Sequence, residues 1–311
     1  VDDHCHAIYG GKVKVTDKPI VISTWQSLYK LHPDYFKDFK VVVGDESHLF
    51  KSTSLKTIME KLKNAEYRFG TTGTLDGTQT HQLVLEGLFG PLLNVTSTKS
   101  LMEQKYLSDL KINCLVLKYE DEVSKACKIL KYQEEIKFLI QHQRRNKFIR
   151  NLALSTPNNT LVLFQFVESH GKILHEMILD RVKNQKINRK VFFVCGNTEA
   201  EDRETIRKIT DQERDAIIVA SAGTFSTGIN IKNLDTIIFS SPTKSRIRTL
   251  QSIGRALRIG RTDKATLYDI VDDLSYKSHK NYALKHFLER VKIYDQEQFT
   301  YSLHPITLTT N

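Results

Sequence analysis

The sequence predicts an α/β protein of two parallel-sheet units, on three observations. Short apolar runs rich in Val, Ile and Phe recur at Val41–Val43, Leu161–Phe166, Val191–Val194, Ile217–Ala220, Thr236–Phe239 and Thr266–Ile270. Amphipathic segments lie between several of them: Ile173, Leu174, Met177, Ile178 and Val182 fall on one helical stripe, as do Leu284, Phe287, Leu288 and Val291 near the C-terminus. Strands alternating with helices argue for a parallel sheet covered on both faces. The third observation is length, since 311 residues suffice for two domains of ordinary size.

Taken in order, the first unit offers about three strand candidates, among them the buried-looking Val41–Val43 and the run Tyr67–Gly70. The alternation breaks between Leu92 and Lys131, where charged and polar residues cluster at Lys118–Lys125. The boundary is expected near residue 98, giving a first unit of residues 1–98 and a second of 99–311 made of a linker, a sheet domain and a C-terminal helix. The second unit holds five strand candidates and reads as complete by about residue 275; the first reads as truncated. No internal repeat or low-complexity tract stands out.

Composition narrows the classes. A hydrophobic fraction of 40% supports real cores, and no apolar stretch of about 18 residues is present to span a membrane. Nothing near Val1 resembles a signal peptide. Cys5, Cys114, Cys127 and Cys195 are scattered, with no CxxC pair, so they read as reduced thiols of an intracellular, cytoplasmic protein. The net charge of +10 favours a polyanionic partner.

Four segments carry chemistry. In Gln251-Ser252-Ile253-Gly254-Arg255-Ala256-Leu257-Arg258, residues three and four apart share a helix face. Gln251, Arg255 and Arg258 can therefore point the same way. Arginine offers a planar, permanently charged fork of donors that suits phosphate. Alone, such a cluster is also the mark of a solvated basic face. In Val41-Val42-Val43-Gly44-Asp45-Glu46-Ser47-His48 an apolar strand runs into two carboxylates. Ligands of open parallel sheets sit at strand carboxyl ends. Asp45 there can hold Mg2+ against nucleotide phosphates, with Glu46 beside it to orient and deprotonate water. Thr71-Thr72-Gly73-Thr74 follows the strand candidate Tyr67–Gly70, and its small hydroxyl residues can bridge an acidic site to a neighbouring domain by hydrogen bonds. Finally, the strand Ile217–Ala220 opens into a Gly/Ser/Thr loop, Ser221–Asn230, whose amides and hydroxyls suit phosphate contacts. Each of the last three is, by itself, compatible with an ordinary turn.

In this order the segments resemble a superfamily 2 helicase or translocase. Asp45–His48 match that family's motif II (DExH), Thr72–Thr74 its motif III, Ser221–Asn230 its motif V and Gln251–Arg258 its motif VI (QxxGRxxR). Ser23-Thr24-Trp25-Gln26-Ser27-Leu28 resembles its strand-contacting segment, and Leu161–Phe166 with Glu168 and Ser169 its motif IV. The resemblance covers nearly the whole chain and implies two RecA-like parallel-sheet domains with ATP and Mg2+ in the cleft between them. It implies a metal site at Asp45 and Glu46, with Glu46 activating water. It implies coupling of nucleotide state to closure through His48 and Gln251, and phosphate contacts from Gly228, Arg255 and Arg258. An arginine finger, here Arg258, is worth about 10³–10⁵ in rate in nucleotide hydrolases. Ser23, Thr24 and Thr224 are implied contacts to the nucleic-acid backbone. At finer grain the chain resembles DNA helicases of recombination and branch migration, so branched or single- or double-stranded DNA is the implied partner. An RNA helicase, a restriction-type translocase or a non-catalytic nucleic-acid-binding or annealing module are the alternatives.

Two departures from the family qualify this. No GxxxxGK[ST] loop occurs: Gly11-Lys12 precedes Val13 and Gly171-Lys172 precedes Ile173. The family places that phosphate cradle ahead of motif II, and only 44 residues precede Asp45. The expectation is an N-terminally truncated fragment without ATPase activity of its own. Ser47 and Asn230 stand where relatives more often carry Ala or Cys, and Asp.

Overall fold

The computed structural model describes residues 3–75, 78–228, 231, 233–242, 245, 249–250, 252–254 and 264–308. The chain divides into two compact units, Val1–Asn94 and Val95–Asn311.

The first unit contains β1 (Cys5–Ile8), β2 (Ile20–Ser23), α1 (Trp25–Leu28), β3 (Val41–Gly44), α2 (Thr53–Lys61), β4 (Tyr67–Gly70) and α3 (Gln79–Phe89). β1 pairs with β2 and β3 with β4, each pair parallel. Its core is Phe36, Phe50, Leu55, Ile58, Met59, Leu62 and Leu85, against which Val42 packs. The register sets Val41 beside Tyr67 and Val43 beside Phe69. These four share one face, and all are exposed, from 51% at Val41 to 65% at Val43. The strand ahead of the acidic pair is thus covered on one face only, where the sequence reads as buried. Three successive valines satisfy a one-sided strand as readily as a two-sided one.

The second unit contains α4 (Thr98–Glu103), β5 (Asp109–Lys118), α5 (Asp121–Cys127), α6 (Tyr132–Gln141), α7 (Gln143–Ser155), β6 (Thr160–Phe164), α8 (Lys172–Asn184), β7 (Val191–Val194), α9 (Ala200–Gln212), β8 (Ile217–Ser221), α10 (Ala222–Gly228), β9 (Thr236–Phe239), β10 (Lys264–Asp273), α11 (Tyr282–Gln296) and β11 (Tyr301–Thr307). Seven strands form one sheet in the order β11-β5-β10-β9-β6-β8-β7, with every pairing parallel. Both faces are covered. Leu161, Leu163, Ile218, Ala220 and Phe287 belong to one apolar cluster, Val162, Phe164, Ile217, Val219 and Leu174 to the other.

Two strands correct the sequence reading. The segment expected to be linker contains β5, an interior strand between β11 and β10. Leu110, Ile112 and Cys114 pack to one side of it and Leu115 and Leu117 to the other. Lys111 and Asn113 interrupt that pattern and hide it. β11 lies beyond the expected end of the domain, and Pro305 disguises it. A proline lacks the N–H of an interior ladder and is tolerated at a sheet edge, which is where β11 sits.

Two buried ion pairs fasten helices to the sheet. Arg145 of α7 donates Nε to Asp272 Oδ1 at 2.7 Å and a terminal nitrogen to Oδ2 at 2.9 Å, and reaches the Ser240 carbonyl at 2.8 Å. Tyr119 adds its hydroxyl to Asp272 at 2.7 Å. Arg290 and Tyr294 of α11 converge in the same way on Asp269 of β10. The paired carboxylates raise both guanidinium pKa values against the opposing effect of burial.

Candidate functional site

The acidic site is built from the carboxyl end of β3 and the threonine loop after β4. Their parallel pairing continues past the strands: Thr71 N–H donates to Gly44 O at 2.9 Å and Ser47 N–H to Thr71 O at 2.8 Å. Gly44 must be small. A Cβ there would lie 2.7 Å from the Phe50 ring and 2.9 Å from the Phe89 ring. The chain then turns sharply, with Glu46 at φ 49° and ψ 49°. That left-handed conformation is uncommon for a residue bearing a Cβ, and strain of this kind concentrates at functional sites.

The turn leaves Asp45 and Glu46 exposed while burying Ser47 and His48. Asp45 Oδ1 accepts from Glu46 N–H at 2.9 Å and from Thr71 Oγ1 at 3.2 Å. His48 Nδ1 lies 3.0 Å from Thr72 Oγ1 and 3.1 Å from Glu46 Oε2. The Thr72 hydroxyl donates to Thr74 O at 2.9 Å, so its oxygen is left to accept. His48 Nδ1 thus faces two acceptors, the Thr72 hydroxyl oxygen and the Glu46 carboxylate, and is placed to donate. His81 of α3 closes the base of the site, its Nε2 at 2.9 Å from His48 O. Of these partners, Thr71 belongs to the threonine loop but falls one position before its motif III match, and His81 lies outside every motif. His81 carried no signal at all, because only the packing of α3 brings it there.

The segment expected to contact the nucleic-acid strand starts at the end of β2. Thr24 is exposed and its Oγ1 lies 3.1 Å from Ser27 Oγ, while Ser23 is half-buried and donates to Ile8 O. In the second unit the expected loop at Ser221–Asn230 begins as a helix, α10, directly after β8. Thr224 is buried at 8% exposure and pairs with Ser221 Oγ at 2.6 Å. Its hydroxyl ties the helix to the strand, and Gly223 is the exposed neighbour. Gly228 ends α10. Thr249, Ser252 and Ile253 are buried in helical segments around the arginine motif. Gln251, Arg255 and Arg258 lie outside the described residues, as does Asn230.

The donor set at β3 fits Mg2+ bound with a nucleotide. Among the described residues no group of three His, Cys, Asp or Glu side chains could cage a metal. Magnesium keeps much of its water and takes one or two carboxylates together with substrate phosphates. The exposed, oxygen-only pair Asp45 and Glu46 suits that mode.

This ordered set of motifs on a parallel α/β framework defines a class of protein. Residues 143–260 match the family model described as helicase conserved C-terminal domain, and residues 2–77 match type III restriction enzyme, res subunit. Both are domains of superfamily 2 helicases, and the seven-stranded parallel sheet has their RecA-like fold. The chain is 36% identical over 306 residues to the ATP-dependent DNA helicase UvsW of Enterobacteria phage T4, over 94% of this chain and 60% of the relative. The crystal structure of T4 UvsW matches with a TM-score of 0.57 and 34% identity, over 99% of this chain and 63% of that one. The type ISP restriction-modification enzyme LlaBIII bound to DNA matches with a TM-score of 0.62 at 14% identity, over 94% of this chain and 24% of that one. S. cerevisiae Dbp5 bound to RNA and ADP BeF3 matches with 0.55 at 12%, over 98% and 70%. At those identities the last two speak to fold alone. The chain spans about 60% of the length of the phage relative. No helix among the described residues is long and apolar enough to cross a membrane.

Proposed function

We propose that this chain is the major part of an ATP-dependent DNA helicase or translocase acting on branched or recombination DNA. The observation that carries the reading is the hydrogen-bonded acidic end of β3. A strained Glu46 and an exposed Asp45 are held by Thr71, Thr72 and His48, an arrangement that a mere binding module has no use for. When bound, ATP with Mg2+ supplies the phosphoanhydride whose hydrolysis drives movement. Asp45 would hold the metal, and Glu46 would orient and deprotonate the attacking water. Arg255 and Arg258 would steady charge on the phosphates, with Arg258 as the finger and Gly228 near the nucleotide. His48 and Gln251 would relay nucleotide state. Ser23, Thr24 and Thr224 would serve the nucleic-acid strand, Thr224 by positioning α10. The similarity to a phage DNA helicase supports DNA over RNA.

The test is ATP hydrolysis and DNA binding by the 311-residue chain. Its sequence contains no GxxxxGK[ST] loop, so DNA-stimulated hydrolysis is expected near background while DNA is bound in a salt-sensitive manner. Robust hydrolysis would overturn the first expectation. Failure to bind DNA at low salt would overturn the reading.

A further inference from the structure

The turn joining β10 to α11 presents two lysines that none of these roles uses. Tyr276 and His279 form an antiparallel bridge in which each N–H donates to the other's carbonyl at 3.0 Å. Lys277 and Ser278 are left as an exposed two-residue tip. Such tips favour Gly, Asn or Asp, because they demand positive φ. Lys277 sits at φ 53° all the same. Its Nζ lies over the Tyr276 ring, 5.7 Å from the centroid.

The turn is rigidly seated. Asn281 is buried and accepts from Leu274 N–H at 3.0 Å while donating to Asp272 O at 3.1 Å and Glu135 Oε1 at 3.0 Å. Ser275 N–H donates to Asp273 Oδ1 at 3.0 Å. Beside it stands an aromatic and basic surface. Tyr132 packs on Tyr282 and His286 with centroids 5.7 and 5.3 Å apart, and Lys285 Nζ lies 5.3 Å from the Tyr282 ring. The acids close by are already engaged. Asp273 pairs with Lys118, Glu135 accepts from Asn281 and from the N–H groups of Tyr282 and Ala283, and Glu134 caps its own helix through Lys131 N–H. Lys277, Lys280 and Lys285 remain exposed. Because the sheet is parallel, this turn leaves the same edge from which β8 runs into α10.

We infer that the Tyr276–Lys280 turn, with Tyr282 and Lys285, is a contact surface for the sugar-phosphate backbone of single-stranded nucleic acid. Lysines neutralise phosphates, and tyrosine faces accept stacked bases without regard to sequence. The inference rests on the nucleic-acid reading above.

The experiment is fluorescence anisotropy of a labelled single-stranded oligothymidylate with the full 311-residue chain across a salt series. Lys277→Ala/Lys280→Ala is expected to raise Kd roughly three- to ten-fold at low salt and to reduce the log–log salt slope by about 1.4, for two lost phosphate contacts. Lys277→Gly separates binding from folding: it relieves the positive φ, so its melting temperature should hold or rise while affinity still falls. Wild-type binding with an unchanged Kd and slope in the double variant overturns this surface alone. No wild-type binding overturns the nucleic-acid reading and the surface with it. A double variant that keeps oligonucleotide affinity but loses binding to polyglutamate would assign the surface to an acidic protein and overturn the inference.

Discussion

His48 and Thr72 join the two halves of the acidic site through a 3.0 Å contact between Nδ1 and Oγ1. The bond spans 24 positions in sequence and places Nδ1 to donate. Thr72→Val removes the acceptor while keeping the shape, and so takes one partner from a buried imidazole. The expected loss is about 1–3 kcal/mol in urea denaturation, with Thr72→Ser close to wild type. Equal stability of Val and Ser variants would show that the contact does not hold the loop.

Glu46 occupies left-handed backbone, which is uncommon for a residue bearing a Cβ. Glu46→Gly removes the Cβ that makes φ 49° unfavourable, so it should fold at least as stably as wild type, within about 1 kcal/mol. Glu46→Val should lose roughly 1–2 kcal/mol, because a β-branched side chain is worse still at positive φ. A glycine variant clearly less stable than wild type would mean that the carboxylate, through His48, is a structural necessity.

The Arg145–Asp272 pair is fully buried. Removing one partner strands a charge, so Asp272→Ala should cost about 3–5 kcal/mol. Arg145→Met/Asp272→Leu should recover most of that loss, since an apolar pair leaves no charge unpaired. A double variant as unstable as Asp272→Ala would show that Tyr119 and Ser240, which share the network, carry the cost instead.

His170 is buried against Ser241, its Nδ1 3.1 Å from the hydroxyl. Burial pushes its pKa well below the ordinary 6.5, and the Arg145 charge adds to the effect. The folded state thus refuses a proton that the unfolded state accepts. Stability is full above about pH 6.5 and falls as the pH drops below it, by up to about 1.4 kcal/mol per pH unit for this residue. His142 and His175 shift the same way through burial. Denaturation midpoints should decline from pH 7 to pH 5, less steeply in His170→Gln. An unchanged slope in that variant would move the effect to the other histidines.

Much of the site was legible because its chemistry is local. Asp45, Glu46 and His48 fall within four residues directly after an apolar strand, and the order of motifs is a property of the chain alone. Which loop hydroxyl reaches Asp45, and the part played by His81, were not legible, since they depend on how β4 and α3 pack against the turn after β3. Thr224 was legible as a position, but its burial against Ser221 was not, because a Gly/Ser/Thr run describes a helix start as well as an open loop.

The sequence by itself determined the family, the alternation of strand and helix and the acidic pair, because hydrophobic periodicity and side-chain chemistry are properties of neighbouring residues. Only the tertiary structure decided that residues 109–118 and 301–307 are sheet strands and that Val41 and Val43 face outward. It also decided that a lysine stands strained at the tip of the turn after β10. Those facts arise from pairing between segments far apart in the chain. Burial and backbone angle there are set by the partner strand or helix, which no local pattern names.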